Sequence, residues 1–297
     1  MATSIQSGLK AALLGICINA ALAIIKIAAG YFGNAYALIA DGIESTADIL
    51  SSLIVWVGLS IANKPADTDH PYGHGKAESI ASLIVSLMLL GAAILIAEQS
   101  VKEIRTPHHA PKPFTLVVLL VVVPLKLWLG KKVESTGKDI GSNALQADAL
   151  HHHSDALTSA AAFVGISIAL IGGPGYESAD DWGALAACGV IVWNALRLLK
   201  TAVDDIMDAA VPHETVRRVR ETAAKVEGVR AIEKSRIRKV GLHLAVDIHV
   251  IVDGNMSVRD GHRIAHMVKD RLLTSQIGIS DVTVHIEPDE AESTLPR

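Results

Sequence analysis

The chain has 297 residues, half of them hydrophobic, with a formal net charge of -4 and a mean hydropathy of +0.37. The hydropathy is high for a soluble protein, and the acidic balance argues against a protein that binds nucleic acid through its charge. The last 86 residues hold 27 of the 58 charged side chains. The sequence therefore predicts a membrane domain at residues 1–211 and a water-soluble domain at residues 212–297.

Six apolar segments have about the 20 residues that a helix needs to cross a bilayer. We predict that both termini lie on one side of the membrane, and the placement of lysine and arginine in the loops favours the cytoplasm. Pro124 interrupts the fourth segment and is expected to kink it. The six segments are residues 9–31, 36–62, 79–101, 114–132, 143–171 and 181–208.

The charged C-terminal part has alternating helical and strand-like patterns. A helix is predicted to start after Pro212 and to close at Gly228, and a second helix follows Ser257 as its N-cap. Two strand-like stretches lie between these helices, and the alternating sequence DVTVHIEP forms a last strand. The order αββαβ predicts a ferredoxin-like sandwich whose sheet is covered on one side.

An internal repeat relates the second and fifth apolar segments. ALIADGIESTADILSS at 37–52 aligns with ALQADALHHHSDALTS at 144–159, with seven identical positions. Each segment carries a polar triplet at spacings of three and then four residues, which places each triplet on one face of its helix. The triplets are Asp41, Glu44 and Asp48, and Asp148, His151 and Asp155.

Six ionisable groups facing lipid would be very costly, so we expect the two triplets to face each other or water. Two residues from each triplet offer three carboxylates and one imidazole, a tetrahedral set suited to a divalent transition metal such as Zn²⁺. A purely structural pairing is the alternative, and it is weaker for two matched triplets than for a lone buried group. The four expected ligands are Glu44, Asp48, His151 and Asp155.

The neighbouring histidines His152 and His153 point elsewhere. Successive residues turn by about 100° along a helix, so these rings leave the face that carries His151 and Asp155. We expect them to support the ligands or to line a water path rather than to bind the metal.

Two further groups of possible ligands lie outside the apolar segments. The loop DTDHPYGHGKAE supplies Asp67, His70 and His74, and its proline and glycines let it fold around one ion. In the C-terminal domain, alternation puts Asp247 with His249 on one strand face and His285 with Glu287 on another. If these strands pair, the four groups converge, although solvated side chains on an open sheet face are an equal alternative.

These motifs resemble the cation diffusion facilitator family of proton-coupled divalent-metal exporters. The resemblance rests on ADGIESTAD, DTDHPYGHGKAE, ALHHHSDALTS and VDIHVIVDGN with VHIEP, and it extends over essentially the whole chain. It implies an α-helical membrane protein with six transmembrane helices, a cytoplasmic ferredoxin-like metal-binding domain, and a homodimer. The implied location is a bacterial inner membrane, with magnetosome proteins as a possible subgroup.

The resemblance also assigns residues. It implies a transport site at Glu44, Asp48, His151 and Asp155, and a loop site at Asp67, His70 and His74. It adds a charge pair between Lys76 and Asp208. It implies a C-terminal site at Glu233, His249, His262, His285 and Glu287.

Departures from the zinc pattern leave the metal open. Zinc exporters of the family that this chain resembles usually have histidine or aspartate at three positions where this chain has glutamate. The positions are Glu44, Glu233 and Glu287. This difference shifts the expected metal preference of the sites toward Fe²⁺, Mn²⁺ or Cd²⁺. His151 argues against a dedicated manganese exporter. Zn²⁺ is therefore expected first and Fe²⁺ second, as transported ions rather than as covalent cofactors.

Metal binding requires deprotonated ligands, so a single site can exchange protons for metal. The sequence thus predicts an antiporter driven by the inward proton gradient, with a C-terminal domain that senses metal and tightens the dimer. A membrane metal sensor or scaffold and a channel are the alternatives. An enzyme is not expected, because no nucleophile–base pair accompanies these ligands.

Overall fold

The computed structural model describes residues 2–32, 36–105, 114–172 and 179–289. The chain divides into two compact units, Met1–Val203 and Asp204–Arg297. All six apolar segments form helices in the structure. They are α1 (Ala2–Phe32), α2 (Tyr36–Ala62), α3 (Lys76–Arg105), α4 (Phe114–Ile140), α5 (Asn143–Gly172) and α6 (Ala179–Ile206).

Three helical stretches among the described residues are long and apolar enough to cross a membrane. They are Ile5–Ile25, Lys76–Lys102 and Asp181–Ile206. In α2, the apolar stretch Asp48–Ala62 is shorter. The count of six membrane spans stays a prediction.

Helix α4 runs through Pro124 and continues past residue 132 to Ile140. Proline removes a single main-chain donor from the helix, so the remaining hydrogen bonds can hold it together on either side. This continuity brings Lys126 and Glu134 onto the same helix as the apolar residues that precede Pro124.

The first five helices share one apolar core. Each of these five helices contributes at least one buried residue to the core, for example Ala12, Val55, Val85, Leu129 and Leu145. Small residues let the helices approach closely, since a Cβ atom on Gly58 would lie 2.4 Å from the Cβ of Ala81. A second cluster packs Leu89 and Ala93 of α3 against Ile191 and Ala195 of α6.

The start of α5 is held by a buried carboxylate from α3. Glu78 accepts hydrogen bonds from the main-chain N–H of Ala144 and from the Ser142 hydroxyl, both at 2.8 Å. The first N–H groups of a helix lack intrahelical partners, and a carboxylate there also matches the helix dipole. Glu78 therefore fixes where α5, with its histidines, begins.

The second unit has the predicted αββαβ order. The sheet order is β1-β2-β3, with β1 and β2 antiparallel and β2 and β3 parallel. Assignment of this arrangement to the ferredoxin-like class stays a prediction. The elements are α7 (His213–Ala224), β1 (Ala231–Val240), β2 (His243–Val252), α8 (Val258–Leu273) and β3 (Ile279–Pro288).

The predicted bounds of α7 were wrong at one end. The helix stops at Ala224, four residues before Gly228. Gly228 lies in the following turn with φ of 89°, a left-handed conformation that favours glycine. The Ser257 cap is confirmed, because its hydroxyl accepts from the N–H of Asp260.

One face of the sheet is buried, as the alternation in β2 predicts. Val246, Ile248 and Val250 form a core with Ile264 and Val268 of α8. Because side chains alternate along a strand, the residues between them in β2 project from the opposite face. That opposite face carries His249.

Candidate metal centres

The repeat residues of α2 and α5 meet between the two helices. His151 Nε2 lies 2.9 Å from Asp48 Oδ1 and 3.9 Å from Asp155 Oδ2. One ligand atom from each of these residues lies within 4.8 Å of the other two. Glu44, the fourth expected ligand, has a side chain that lies outside the described residues.

The three groups line a small cavity. Its volume is about 130 Å³, enough for an ion with a few waters. Asp48 and His151 are buried, whereas the side chain of Asp155 is 27% exposed. Apolar residues of neighbouring helices, Leu89, Val122 and Ile191 among them, complete the wall.

A lysine that the sequence analysis did not assign to the site also reaches it. Lys126 of α4 places its Nζ 2.5 Å from Asp48 Oδ2 and 2.9 Å from Asp155 Oδ2. The Lys126 side chain is only 2% exposed. Its position inside an apolar segment was the signal available in the sequence, because such a charge needs a buried partner.

Asp148 belongs to a different polar cluster. Its carboxylate accepts hydrogen bonds from the hydroxyls of Ser51 and Ser52 at 3.0 and 3.1 Å. His152 Nε2 lies 3.7 Å from the same carboxylate, and neither ring nitrogen has a hydrogen-bond partner within the described residues. Asp148 is fully buried and is not among the residues that line the cavity. Its hydrogen bonds to Ser51 and Ser52 join α5 to α2.

His153 faces α4. Its Nε2 lies 3.2 Å from Glu134 Oε2, and a Cβ atom on Gly130 would lie 2.8 Å from the His153 ring. The ring therefore packs where Gly130 leaves room. His152 and His153 both point away from the cavity that holds His151.

The loop between α2 and α3 gathers its three candidate ligands. Asp67 lies 3.3 Å from His70 Nδ1 and 3.4 Å from His74 Nε2. His74 Nδ1 lies 3.2 Å from the carbonyl oxygen of Pro65, a contact that only the protonated nitrogen makes. In neutral His74 the Nε2 is then an acceptor facing a carboxylate, which favours a cation between them.

The Asp67 carboxylate stays ionised at neutral pH. The main-chain N–H of His70 donates to Asp67 Oδ1 at 2.7 Å and lowers the pKa of Asp67. Asp67 and His70 are exposed, so an ion can reach them from water.

The C-terminal sheet gathers a third group on its open face. His249 and His285 are directly paired across β2 and β3, with ring centroids 4.9 Å apart. Glu287 Oε1 lies 2.5 Å from His249 Nδ1 and 3.7 Å from His285 Nε2. Hydrogen bonding with Glu233 and His249 lowers the pKa of Glu287, so its carboxylate is ionised at neutral pH.

Two other expected members of this C-terminal group lie elsewhere. Asp247 is 3.7 Å from Arg238 of β1 and forms an ion pair there. His262 lies on α8, which covers the other face of the sheet, and its Nε2 is 3.1 Å from Nε2 of His266. The pair Lys76 and Asp208 spans the two units and stays a prediction.

Comparison with known proteins places these features in a family. Residues 12–207 match the family described as "Cation efflux transmembrane domain", and residues 211–289 match "Cation efflux protein, cytoplasmic domain". The chain belongs to the cation diffusion facilitator family. It is accordingly a multi-pass membrane protein of a family of metal transporters rather than enzymes.

Three relatives illustrate the range of this family. Magnetosome protein MamB of Magnetospirillum gryphiswaldense is 32% identical, over 90% of this chain and 89% of that protein. Manganese efflux system protein MneP of Bacillus subtilis is 29% identical, over 95% and 97%. Metal tolerance protein C1 of Arabidopsis thaliana is 30% identical over 95% of this chain, which spans 63% of that relative's length.

Proposed function

We propose that this transporter exports divalent transition-metal ions from the cytoplasm in exchange for protons, with Zn²⁺ as the principal cargo. The observation that carries the proposal is the convergence of Asp48, His151 and Asp155 on one buried cavity between α2 and α5. Buried ionisable groups inside a membrane domain are costly and mark ion pathways.

The spacing of these ligands suits a tetrahedral ion. Bonds of about 2.0 Å to nitrogen and oxygen require ligand atoms about 3.3 Å apart. The distances from His151 Nε2 to Asp48 and Asp155, 2.9 and 3.9 Å, bracket that value. Glu44 is the proposed fourth ligand from the same face of α2.

Proton exchange follows from the chemistry of the ligands. A carboxylate or imidazole binds metal only when deprotonated, so metal and protons compete for His151, Asp48 and Asp155. A site exposed in turn to each side of the membrane then moves metal outward as protons enter. Equivalent segments of two repeats are well suited to such alternating exposure.

Fe²⁺ is the second candidate cargo, followed by Mn²⁺ and Cd²⁺. The similarity to a magnetosome protein and to a manganese efflux system protein supports including ions other than Zn²⁺ among the candidate cargoes. The nitrogen of His151 favours zinc or iron over manganese, which prefers oxygen ligands.

We further propose a homodimer in a bacterial inner membrane with both termini in the cytoplasm. The match of residues 211–289 to a cytoplasmic domain supports that orientation. The loop group and the His249, His285 and Glu287 group would bind cytoplasmic metal, and the latter would adjust the dimer to the metal supply.

Flux into proteoliposomes tests the proposal. We expect uptake of Zn²⁺ that depends on a pH gradient, and loss of that uptake in His151→Ala and Asp155→Ala. The exposed residues His213 and Asp270 supply matched controls, since His213→Ala and Asp270→Ala should retain full flux. Parallel assays with Fe²⁺, Mn²⁺ and Cd²⁺ rank the cargo.

Three results would contradict the proposal. Undiminished flux in both site variants would remove the assignment of the site. Flux that ignores the pH gradient would indicate a channel. Metal binding without any flux would indicate a sensor or scaffold.

A further inference from the structure

The candidate transport site contains a cation that belongs to the protein. The Lys126 ammonium lies between two of the three described ligands and contacts one oxygen of each carboxylate, at 2.5 and 2.9 Å. It comes from α4, whereas the carboxylates come from α2 and α5.

Lys126 is buried, and its charge is held beside the carboxylates of Asp48 and Asp155. Its side chain is 2% exposed and forms ion pairs with Asp48 and Asp155. Removing an ammonium from water carries a large desolvation cost, and this cost is offset only by close, well-directed anionic partners. The same argument applies to the two carboxylates, which would otherwise repel each other inside the cavity.

A divalent ion needs the same two carboxylates. Asp155 Oδ2 lies 2.9 Å from Lys126 Nζ and 3.9 Å from His151 Nε2, so this oxygen faces both groups. Asp48 turns Oδ1 toward His151 and Oδ2 toward Lys126. Lys126 lines the same cavity of about 130 Å³ as Asp48, His151 and Asp155, so a bound metal ion would lie close to the ammonium. At any given distance, the Coulomb repulsion between a divalent ion and an ammonium is twice that between two unit charges, and it is strong at the short distances inside a buried site.

We propose that Lys126 is a tethered cation that occupies the transport site when no metal is bound, so that an incoming divalent ion must displace it. This inference rests on the proposed transport site. The ammonium keeps the two carboxylates paired in the metal-free protein, and its flexible side chain allows it to leave. Lys126 thereby lowers the affinity for metal and helps the site release its cargo.

The competing explanation is a structural ion pair that links α4 to α2 and α5. Such a pair would stay in place when metal binds. Its removal would destabilise the protein without strengthening metal binding. Metal affinity and the position of Nζ in the metal-bound protein therefore separate the two explanations.

The first test measures Zn²⁺ binding to the full-length protein in lipid nanodiscs. The background carries Asp67→Ala and His285→Ala, which disable the loop and C-terminal groups. We expect Lys126→Met, which keeps the length and removes the charge, to lower the Kd about tenfold or more. Lys126→Arg keeps the charge and should bind no more tightly than the parent, and Lys132→Met, at an exposed position of α4, should match it.

Asp155→Ala in the same background separates the two proposals. If Asp155→Ala abolishes binding and Lys126→Met does not strengthen it, the tethered cation is refuted and the transport site survives. If Asp155→Ala leaves binding unchanged, the transport site is refuted and the role of Lys126 falls with it.

A second measurement covers the case in which Lys126→Met does not fold. A structure of the unmodified protein with Zn²⁺ bound should have Lys126 Nζ more than about 4 Å from both carboxylates, beyond ion-pair distance. Nζ still in contact with Asp48 and Asp155 beside the bound metal would overturn the proposal.

Discussion

At the scale of single residues, the group on the C-terminal sheet has the clearest dependence on pH. Glu287 contacts His249 and His285, and hydrogen bonding with Glu233 and His249 lowers its pKa below the ordinary value of 4.5. Since the folded state holds this carboxylate ionised, its contribution to stability is complete above the unfolded pKa. That contribution is lost as the pH falls through the folded pKa.

We therefore expect Glu287→Gln to weaken the pH dependence of unfolding of the C-terminal unit. In metal-free full-length protein, the unmodified chain should lose more thermal stability between about pH 5 and pH 3 than the variant does, because the window lies at and below the unfolded pKa of Glu287. Glu227→Gln, at an exposed position in the same unit, serves as the control. Equal losses in the unmodified chain and in Glu287→Gln would contradict this account of Glu287.

Residue spacing predicted part of the ionisable cluster between α2 and α5 and missed the rest. Asp48, His151 and Asp155 were expected together because a helix repeats about every 3.6 residues. Asp148 was expected on the same face as His151, and it does share the side of α5 that meets α2. It lies about 4.5 Å further along the axis, however, because each residue adds 1.5 Å. There it meets Ser51 and Ser52.

Lys126 could not be assigned from spacing alone. It lies on α4, and no local pattern tells which neighbour a lone charge on that helix will face. Its partners depend on how α4 packs against α2 and α5, which is a property of the tertiary fold. The same limit applies to His262, whose separation from His249 and His285 depends on α8 covering the opposite face of the sheet.

At the scale of helices and strands, hydrophobic patterns predicted the elements well. The six apolar helices and the αββαβ order agree with the sequence, since both depend on periodicity within one segment. Ends were less accurate. Helix α4 continues through polar residues to Ile140, beyond its apolar segment. Helix α7 ends at Ala224, before the turn that contains Gly228.

The contact between α3 and α5 gives a prediction at this scale. Glu78→Ala removes the carboxylate that accepts from Ala144 and Ser142 at the start of α5. The buried N–H and hydroxyl would lose their partner, so we expect the free energy of unfolding to fall by about 1–3 kcal/mol. Because α5 carries His151 and Asp155, transport should also slow.

Thermal unfolding in detergent, together with flux, tests this role of Glu78. Glu98→Ala is a matched control, since Glu98 lies on the same helix, is exposed, and forms an ion pair with Lys102 one turn away. A Glu78→Ala protein as stable and as active as the Glu98→Ala protein would show that the cap is dispensable.

At the scale of the whole molecule, three groups of possible metal ligands are distributed over different parts of the described chain. One lies between α2 and α5, one in the loop before α3, and one on the C-terminal sheet. Only the first is largely buried, which is the property expected of a site that carries an ion through a membrane. The two exposed groups are suited to sampling the surrounding solution.

The most direct test of the account is anomalous scattering from crystals of the full-length protein grown with Zn²⁺. We predict an anomalous peak within about 2.0–2.2 Å of ligand atoms from Asp48, His151 and Asp155, and no peak there in Asp155→Ala crystals. Peaks at the loop and the C-terminal sheet alone, with none between α2 and α5 in the unmodified protein, would contradict the central claim.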